Sequence, residues 1–552
     1  MVKAPPHDLL KVLTWKGHGR PDQYGEYGHT DVKYLEELKE IDGYEKLKDA
    51  IANHPKWLGD KLASAIARLR VGYTYWKPKR EDYLSTDIND PFFVKIYGKP
   101  KFWSLEDRTK LFSEIIEIYK KEGINERTHE KVNEKLSEYP QDSRFPLVSL
   151  KTHHWASWAI EKMKMRNEVD EENPRILLLK ISVYAPGIRD EKEPFHKLRS
   201  LRKFYELRDK ISEILTKVFT IEGYDPYKLG KEEVLILTTI EGFEKIKEKL
   251  LKADLPVKIE VFDYTFVKEN SYYKVSNVNQ YIVGIGIKEE IDVDTGKAEW
   301  HEILEGGYEY VAWIALKNLN LYKASEKFLE WFEEFSKNLK KEKKGDITEG
   351  KWLCYELLIS VADQYYKFLE EFENRIKLTE VVKSFDLSLY LKGINSIDEG
   401  IELYENVNKV IRELDIHIPL SVVTVIADPK YPFWRIFEII SENVGVCIVR
   451  GERMIELPDE VIDEIYRIRR KVQNQPRSSI YKLARWAKVL NLKNLELRID
   501  VMCNKGDIRQ DVANAIKGLI RNIAQISNND ENRRKELTSE ALEILASFAR
   551  RG

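Results

Sequence analysis

Between Arg175 and Asn443 the chain runs twice through one series, apolar stretches of strand length alternating with amphipathic helices. That repetition limits the fold more than any other feature. RILLLKISVYA (175–185) is β-branched and apolar and is closed by Pro186-Gly187. HKLRSLRKFYELRDKISEILTKVF (196–219) then carries apolar residues at helical spacing. EEVLILTT (232–239), GFEKIKEKLLKA and VKIEVFDYTFV continue as strand, helix and strand. Strand-helix-strand-helix-strand in so short a span predicts a ferredoxin-like α+β unit. The second pass starts at YEYVAWIALKNLNLY (308–322), followed by the helix KASEKFLEWFEEFSKNLKK and the charged loop KKEKKGDITEGK (340–351). WLCYELLISVADQYYKFLEEF is helix, VVKSFDLSLYLKG (381–393) strand, and IDEGIELYENVNKVIREL helix. LSVVTVIAD (420–428) is strand and YPFWRIFEIISEN helix.

Both flanks read as helical. Residues 1–165 include LEELKEIDGYEKLKDAIA, DKLASAIARLRVGYTYW, DRTKLFSEIIEIYKKEG and HHWASWAIEKMKM, with YPQDSRFPLVSL as an extended break. NEVDEENP (167–174) reads as a linker, and everything from about 457 onward as a helical bundle. A chain of 552 residues is too long for one core. Its 91 basic and 93 acidic side chains nearly cancel, so any nucleic-acid surface must be a local patch. Scarce Cys and Met beside plentiful Glu, Lys and Ile is the usage of a thermophile. Cys354, Cys447 and Cys503 are far apart, which excludes a C-x-x-C zinc site and a disulfide framework. No apolar run is long enough to span a bilayer, and the start lacks a signal-peptide pattern. A soluble, cytoplasmic protein is expected, with no membrane partner.

Four segments together resemble the large subunit of type III CRISPR–Cas effector complexes. APPHDLLKVL is similar to that family's opening Leu-His-Asp-Pro-Pro-x-Lys turn, and PQDSRFPLVSL before His153 to its Pro-x-Asp-x-Arg-x-Pro-x-x-Ser-Leu segment. KISVYAPGI with HKLRSLRKFY resembles the first palm, and LSVVTVIADPKYPFWRIFE the second. The resemblance implies an α+β multidomain fold: an N-terminal helical, degenerate HD-like domain (1–166), a first ferredoxin-like palm (175–266), a connecting β segment (267–306), a second ferredoxin-like palm of degenerate cyclase type (307–456) and a C-terminal helical bundle (457–552).

The chemistry implied by the family does not carry over residue by residue. If the family's Pro-Pro falls on Pro5-Pro6, its metal-binding His and Asp fall on Lys3 and Ala4, and the adjacent His7-Asp8 pair lies beyond the turn. The family's Asp-His falls on Thr152 and His153. Two cations need several converging ligands, so neither a nuclease site nor a bound metal is expected here. The competing reading gathers His7, Asp8, His18, His29, His153 and His154 into a shifted metal cluster. Against it, histidines near prolines and glycines are commonly surface or capping groups, and Asp8 is placed to cap a helix.

In the second palm, carboxylates should follow YEYVAWIAL, where Lys317, Asn318, Leu319 and Asn320 stand instead. A Gly-Gly-Asp-Asp turn should follow SFDLSLYL, where Lys392, Gly393, Ile394 and Asn395 stand. Asp386 is assigned to the strand and Asp398 to a helix N-cap. The family's zinc cysteines have no counterpart between the palms, and GIGIKEE, lacking G-x-G-x-x-G, reads as part of a β-hairpin. No cofactor and no catalytic residue is therefore expected. Tyr431-Pro432-Phe433 reads as a helix start, with Phe433, Ile436 and Phe437 packing on the sheet.

A scaffold remains, and the resemblance gives it guide (CRISPR) RNA, target RNA, and backbone and small subunits as partners. Arg467, Arg469, Arg470, Lys471, Arg477, Lys482, Arg485 and Lys488, interleaved with Tyr481 and Trp486, form either a solvated helix face or an RNA surface. Lys197, Arg199 and Arg202, beside His196 and Lys203, add a second basic set; the family's Arg-Asp pair there has become Arg199-Ser200.

Overall fold

The computed structural model describes residues 3–16, 20–21, 30–67, 74–77, 91–141, 146–183, 198–230, 233–253, 257–270, 272–285, 307–335, 340–343, 355–450, 453–527 and 530–549. In the N-terminal part five helices dominate: α1 (Tyr44–Asn53), α2 (Leu58–Ala67), α3 (Leu105–Glu122), α4 (Glu126–Lys135) and α5 (Leu150–Met165). Their starts are set by local chemistry. Ser104 and Asp107 form a capping box on α3, and Asn125 and Thr128 form one on α4. Leu47, Ile51, Ile115, Tyr119, Leu136 and Leu150 close a core of their own beneath these helices.

The first sheet is built from β1 (Arg175–Val183), α6 (Leu198–Ile221), β2 (Tyr227–Leu229), β3 (Glu233–Thr238), α7 (Ile240–Lys252), β4 (Val257–Glu269) and β5 (Tyr272–Ile285). The strand order is β5-β4-β1-β3-β2, antiparallel throughout. Leaving out β5, the order is that of a ferredoxin-like unit. Alternation along β1 divides its side chains between two cores. Leu177, Leu179 and Ile181 face Ile211, Leu215, Phe243 and Ile246 of α6 and α7. Ile176 and Leu178 join the large central core.

The second sheet follows: β6 (Tyr310–Asn318), α8 (Leu321–Phe335), α9 (Tyr355–Arg375), β7 (Thr379–Lys383), β8 (Leu387–Ile394), α10 (Ile397–Leu414), β9 (Leu420–Ala427), α11 (Phe433–Glu442), β10 (Gly445–Arg450) and β11 (Arg453–Leu457). Its order, β7-β8-β6-β9-β10-β11, repeats the ferredoxin-like arrangement and extends it; β9 and β10 alone among its pairs run parallel. Val311, Trp313 and Ala315 pack under α11, together with Phe433, Ile436 and Phe437 as the sequence implied. Ala312, Ile314 and Leu316 face the central core. Helices α12 (Asp459–Val472), α13 (Arg477–Ala487), α14 (Leu492–Asn504), α15 (Gln510–Ile526) and α16 (Glu531–Phe548) complete the chain and share that core.

Local departures from expectation have simple causes. Lys340–Lys343, read as loop, pairs antiparallel with Thr74–Lys77, because a second strand is available to take its backbone hydrogen bonds. The 266/267 boundary falls inside β4, which runs on to Glu269 and turns directly into β5; the connecting segment thus begins as one ribbon with the sheet. Residues 286–306, with most of GIGIKEE, lie outside the described residues. NEVDEENP is a turn pinned by Arg166–Glu168 and Lys164–Glu171 ion pairs, with Asn167 at φ 57°.

Candidate metal centre

Helices α2 and α5 pass unusually close. A Cβ built on Gly59 would lie 2.0 Å from the Ser157 carbonyl oxygen, so the absence of a side chain there is what permits the approach. The Gly59 N–H donates to Glu161 Oε2 at 3.0 Å across the same seam. Asp60 is the next residue, and the approach sets its Oδ1 2.9 Å from His153 Nε2 on α5. Ser149 caps α5 by accepting from the Thr152 N–H, which fixes where His153 and His154 leave the first turn.

The Pro5-Pro6 turn delivers the remaining groups. Backbone bonds from His7 to Pro5 and from Leu9 to Pro6 coil the chain inward, so that His7 and Asp8 are fully buried. One ligand atom each from His7, Asp8, Asp60 and His153 lies within 4.8 Å of the others. The proline register set His7 and Asp8 aside, yet the fold brings them together with Asp60 and His153. Lys3, one of the positions the proline register favoured, pairs with Glu126 at 3.3 Å and is 44% exposed. Ala4, the other, is held by its carbonyl, which accepts from Asn133 Nδ2 at 2.8 Å. Nor are these histidines surface groups: His7, His153 and His154 are completely buried. Asp8 turns its carboxylate to Lys11 Nζ at 2.6 Å and His54 Nε2 at 3.1 Å.

His154 stands beside the cluster with both nitrogens engaged: Nδ1 is 2.7 Å from Asn133 Oδ1, and Nε2 accepts the Asp8 N–H at 3.3 Å. It positions Asp8. His18 and His29 lie outside the described residues. Asp60, His54 and Lys11 were missed by sequence reasoning, since nothing local in HPKWLGDK or LLKVL marks them as partners of a distant His-Asp pair.

Electrostatics divides the cluster into neutral and charged halves. Burial, reinforced by the neighbouring histidines, holds His7 and His154 well below the usual imidazole range. For His153 burial acts in the same direction, yet the Asp60 and Glu356 carboxylates overcome it and push the ring up to about 9. Burial opposes charge on Asp8 and Asp60, but Lys11 and His54 beside the first, and His153 beside the second, hold both below the usual carboxylate range.

These residues fit one divalent cation. Both His7 ring nitrogens are buried without a hydrogen-bond partner, a condition that costs about 1–3 kcal/mol per group unless something satisfies it. Two imidazoles and two carboxylates are a donor set for a first-row transition ion. The Lys11 ammonium already neutralises Asp8 and sets the site against a second cation. Asp60, at 20% exposure, is the member through which the cluster meets solvent. Bound there, such an ion would supply Lewis acidity and a water acidified toward neutral pH.

The end of the second sheet is arranged differently. Antiparallel register pairs Lys317 of β6 with Leu387 and Tyr310 with Ile394. Residues 392–395 therefore lie at the wrong end of β8 to meet the end of β6. The turn that does meet it is Ser384–Asp386, so Asp386 precedes the strand and a carboxylate is present after all. The Asn318 N–H donates to the Asp386 carbonyl at 3.0 Å, and the Ser384 hydroxyl donates to its carboxylate. Lys317 Nζ donates to the carbonyls of Ile440 and Asn443, both at 2.7 Å, capping the C-terminus of α11. Asp398 sits in the first turn of α10, whose N-cap is Ser396.

The basic C-terminal set is divided by packing. Arg469 lies 3.5 Å from the centre of the Tyr466 ring and pairs with Glu402 of α10 at 3.3 Å. Arg477 covers Tyr481, and Lys482 covers Trp486. Arg467 pairs with Glu464, and Lys488 with Glu543. Arg470, Lys471, Lys482, Arg485 and Lys488 are exposed. Lys197 and His196 lie outside the described residues, and Arg199 and Arg202 fall in α6 with side chains outside them.

Neither a protein-family model nor a curated protein sequence matches the chain. Solved structures do match it. Csm1 of T. onnurineus superposes with a TM-score of 0.62 at 13% identity, covering 100% of both chains. A Csm1–Csm4 cassette in complex with one ATP gives 0.56, again at 13% identity, over 99% of each chain. A Csm1–Csm4 subcomplex of the type III-A CRISPR-Csm interference complex gives 0.55 at 13% over the same share. The chain has the Csm1 fold from end to end. Among the described residues, no helix is long and apolar enough to cross a membrane.

Proposed function

We propose that this chain is the large subunit of a type III-like CRISPR effector ribonucleoprotein, with its two ferredoxin-like palms acting as scaffold and its N-terminal helices holding one divalent cation. The observation that carries this reading is the likeness to Csm1 over the whole of both chains. Its partners are then guide RNA, target RNA and the neighbouring backbone and small subunits. The exposed cations Arg470 and Lys471 on α12, Lys482 and Arg485 on α13, and Lys488 just after it are the surface that meets RNA phosphates. Sequencing the nucleic acid that co-purifies from native cells tests the proposal: a set of uniform small RNAs with a shared 5′ end is expected, and protein free of small RNA would overturn it. Changing Arg485 and Lys488 to Glu should weaken RNA binding and flatten its salt dependence.

A second reading is supported by the His7–Asp8–Asp60–His153 geometry. Here the N-terminal part is a metal-dependent phosphodiesterase as well as a scaffold. Mn2+-dependent cleavage of nucleic acid, lost in His153→Ala, is the expected result; a full-length chain that binds Mn2+ and cleaves nothing would leave scaffold alone. The cyclase alternative lacks comparable support: among the described residues the turn that meets the end of β6 carries Asp386, whose carboxylate accepts from Ser384, while Lys317 at that strand end is bound to the α11 carbonyls.

A further inference from the structure

Helix α9 belongs to the second palm, yet its first turn is driven into the N-terminal helices. Tyr355 packs edge-on to Trp155 with ring centres 6.0 Å apart, Asp363 pairs with Lys151 at 3.1 Å, and Gln364 Oε1 accepts the Ile96 N–H at 2.7 Å. Between these anchors Glu356 is fully buried, and neither carboxylate oxygen has a hydrogen-bond partner. Its Oε1 faces His153 Nδ1 at 3.6 Å, on the side of the ring away from Asp60. The Gln141 amide nitrogen also faces Nδ1, at 2.8 Å.

A histidine that ligates through Nε2 carries its proton on Nδ1, and that N–H needs an acceptor, most often a carboxylate. The Gln141 amide nitrogen can donate to Nδ1 only while that ring nitrogen is unprotonated. Once Nε2 ligates and the proton sits on Nδ1, the amide nitrogen no longer serves, and Glu356 Oε1 is the carboxylate oxygen that faces it. We propose that Glu356 is the positioning carboxylate for His153, contributed by the second palm, so that the N-terminal centre is complete only with α9 docked against it. This rests on the single-cation reading above. It gives an otherwise costly buried carboxylate a partner and makes cation affinity a report on how the palm sits against the N-terminal helices.

The test is Mn2+ titrated calorimetrically into the metal-stripped full-length chain. Glu356→Gln should weaken binding about 10- to 100-fold, the usual effect of losing such an outer carboxylate, while the metal-free melting temperature stays level or rises. Adding Gln141→Glu to that variant places a carboxylate beside the same Nδ1 and should restore affinity; a purely structural loss would not be rescued so. Equal Mn2+ affinity in wild type and Glu356→Gln overturns this inference alone. No Mn2+ binding by wild type overturns the single-cation reading and takes this one with it.

Discussion

The His7–Asp8 cluster and the β6–β8 end of the second sheet are two places where a chain of this fold brings polar groups from separate elements together, and they differ in what those groups still have to offer. In the N-terminal helices, the buried nitrogens of His7 have no hydrogen-bond partner and three acidic side chains, Asp8, Asp60 and Glu356, converge on His153. At the sheet end, Lys317 is committed to three carbonyls of the α11 terminus and the Asp386 carboxylate accepts from Ser384. The first arrangement leaves ligand capacity over. The second commits its charged groups elsewhere, the Lys317 ammonium to carbonyl oxygens and the Asp386 carboxylate to Ser384, and its buried group without a hydrogen-bond partner, the Asn318 amide nitrogen, is a donor that binds no cation. Retained architecture thus says little about retained chemistry; the state of each donor and acceptor says more.

The sharpest way to break this contrast is His153→Ala beside Asp386→Asn. The first should abolish Mn2+ binding, a loss of at least about 100-fold, and the second should leave the titration unchanged; the reverse outcome would move the cation site to the palm. Gly59→Ala comes next. Its methyl meets backbone oxygen, so α2 and α5 must part, costing about 3 kcal/mol in urea unfolding and weakening Mn2+ along with it.

Acid should distinguish the N-terminal helices too. His129, buried against the Tyr119 hydroxyl at 3.0 Å, is held down to about 4 by burial. Its folded value lies below its unfolded one, so the unfolded chain binds the extra proton; stability is full above about 6.5 and falls as the pH drops toward 4, by roughly 2–3 kcal/mol. His129→Gln should flatten that part of the profile in denaturant melts. The smallest effect expected is Lys317→Met, which removes the α11 cap for about 1–2 kcal/mol and leaves Mn2+ affinity untouched.

Much of the fold was legible because its signals are local. The twofold strand-helix series, the helical flanks and the packing of Phe433 and Ile436 all follow from periodicity within a few turns of chain. The candidate centre was half legible. His7, Asp8 and His153 stood out as residue types, and His153 matched a family histidine, but matching prolines to prolines displaced His7 and Asp8, since a turn's register does not say which way its neighbours point. Asp60 carried no signal beyond following Gly59, and the meaning of that glycine appears only when Ser157 is brought against it. The palm turn was misplaced for a related reason: antiparallel pairing joins the end of one strand to the beginning of the next, so the turn had to be sought before SLYL and not after it.

Tyr355–Arg375 also bears on how the molecule is made. Translation delivers His7 and Asp8 long before it delivers Glu356, so the N-terminal helices spend much of synthesis with Trp155 and His153 uncovered by Tyr355 and Glu356. A nascent chain stalled ahead of residue 355 would present an open, sticky half-site, and completion of the centre marks the moment when more than half of the polypeptide has been read.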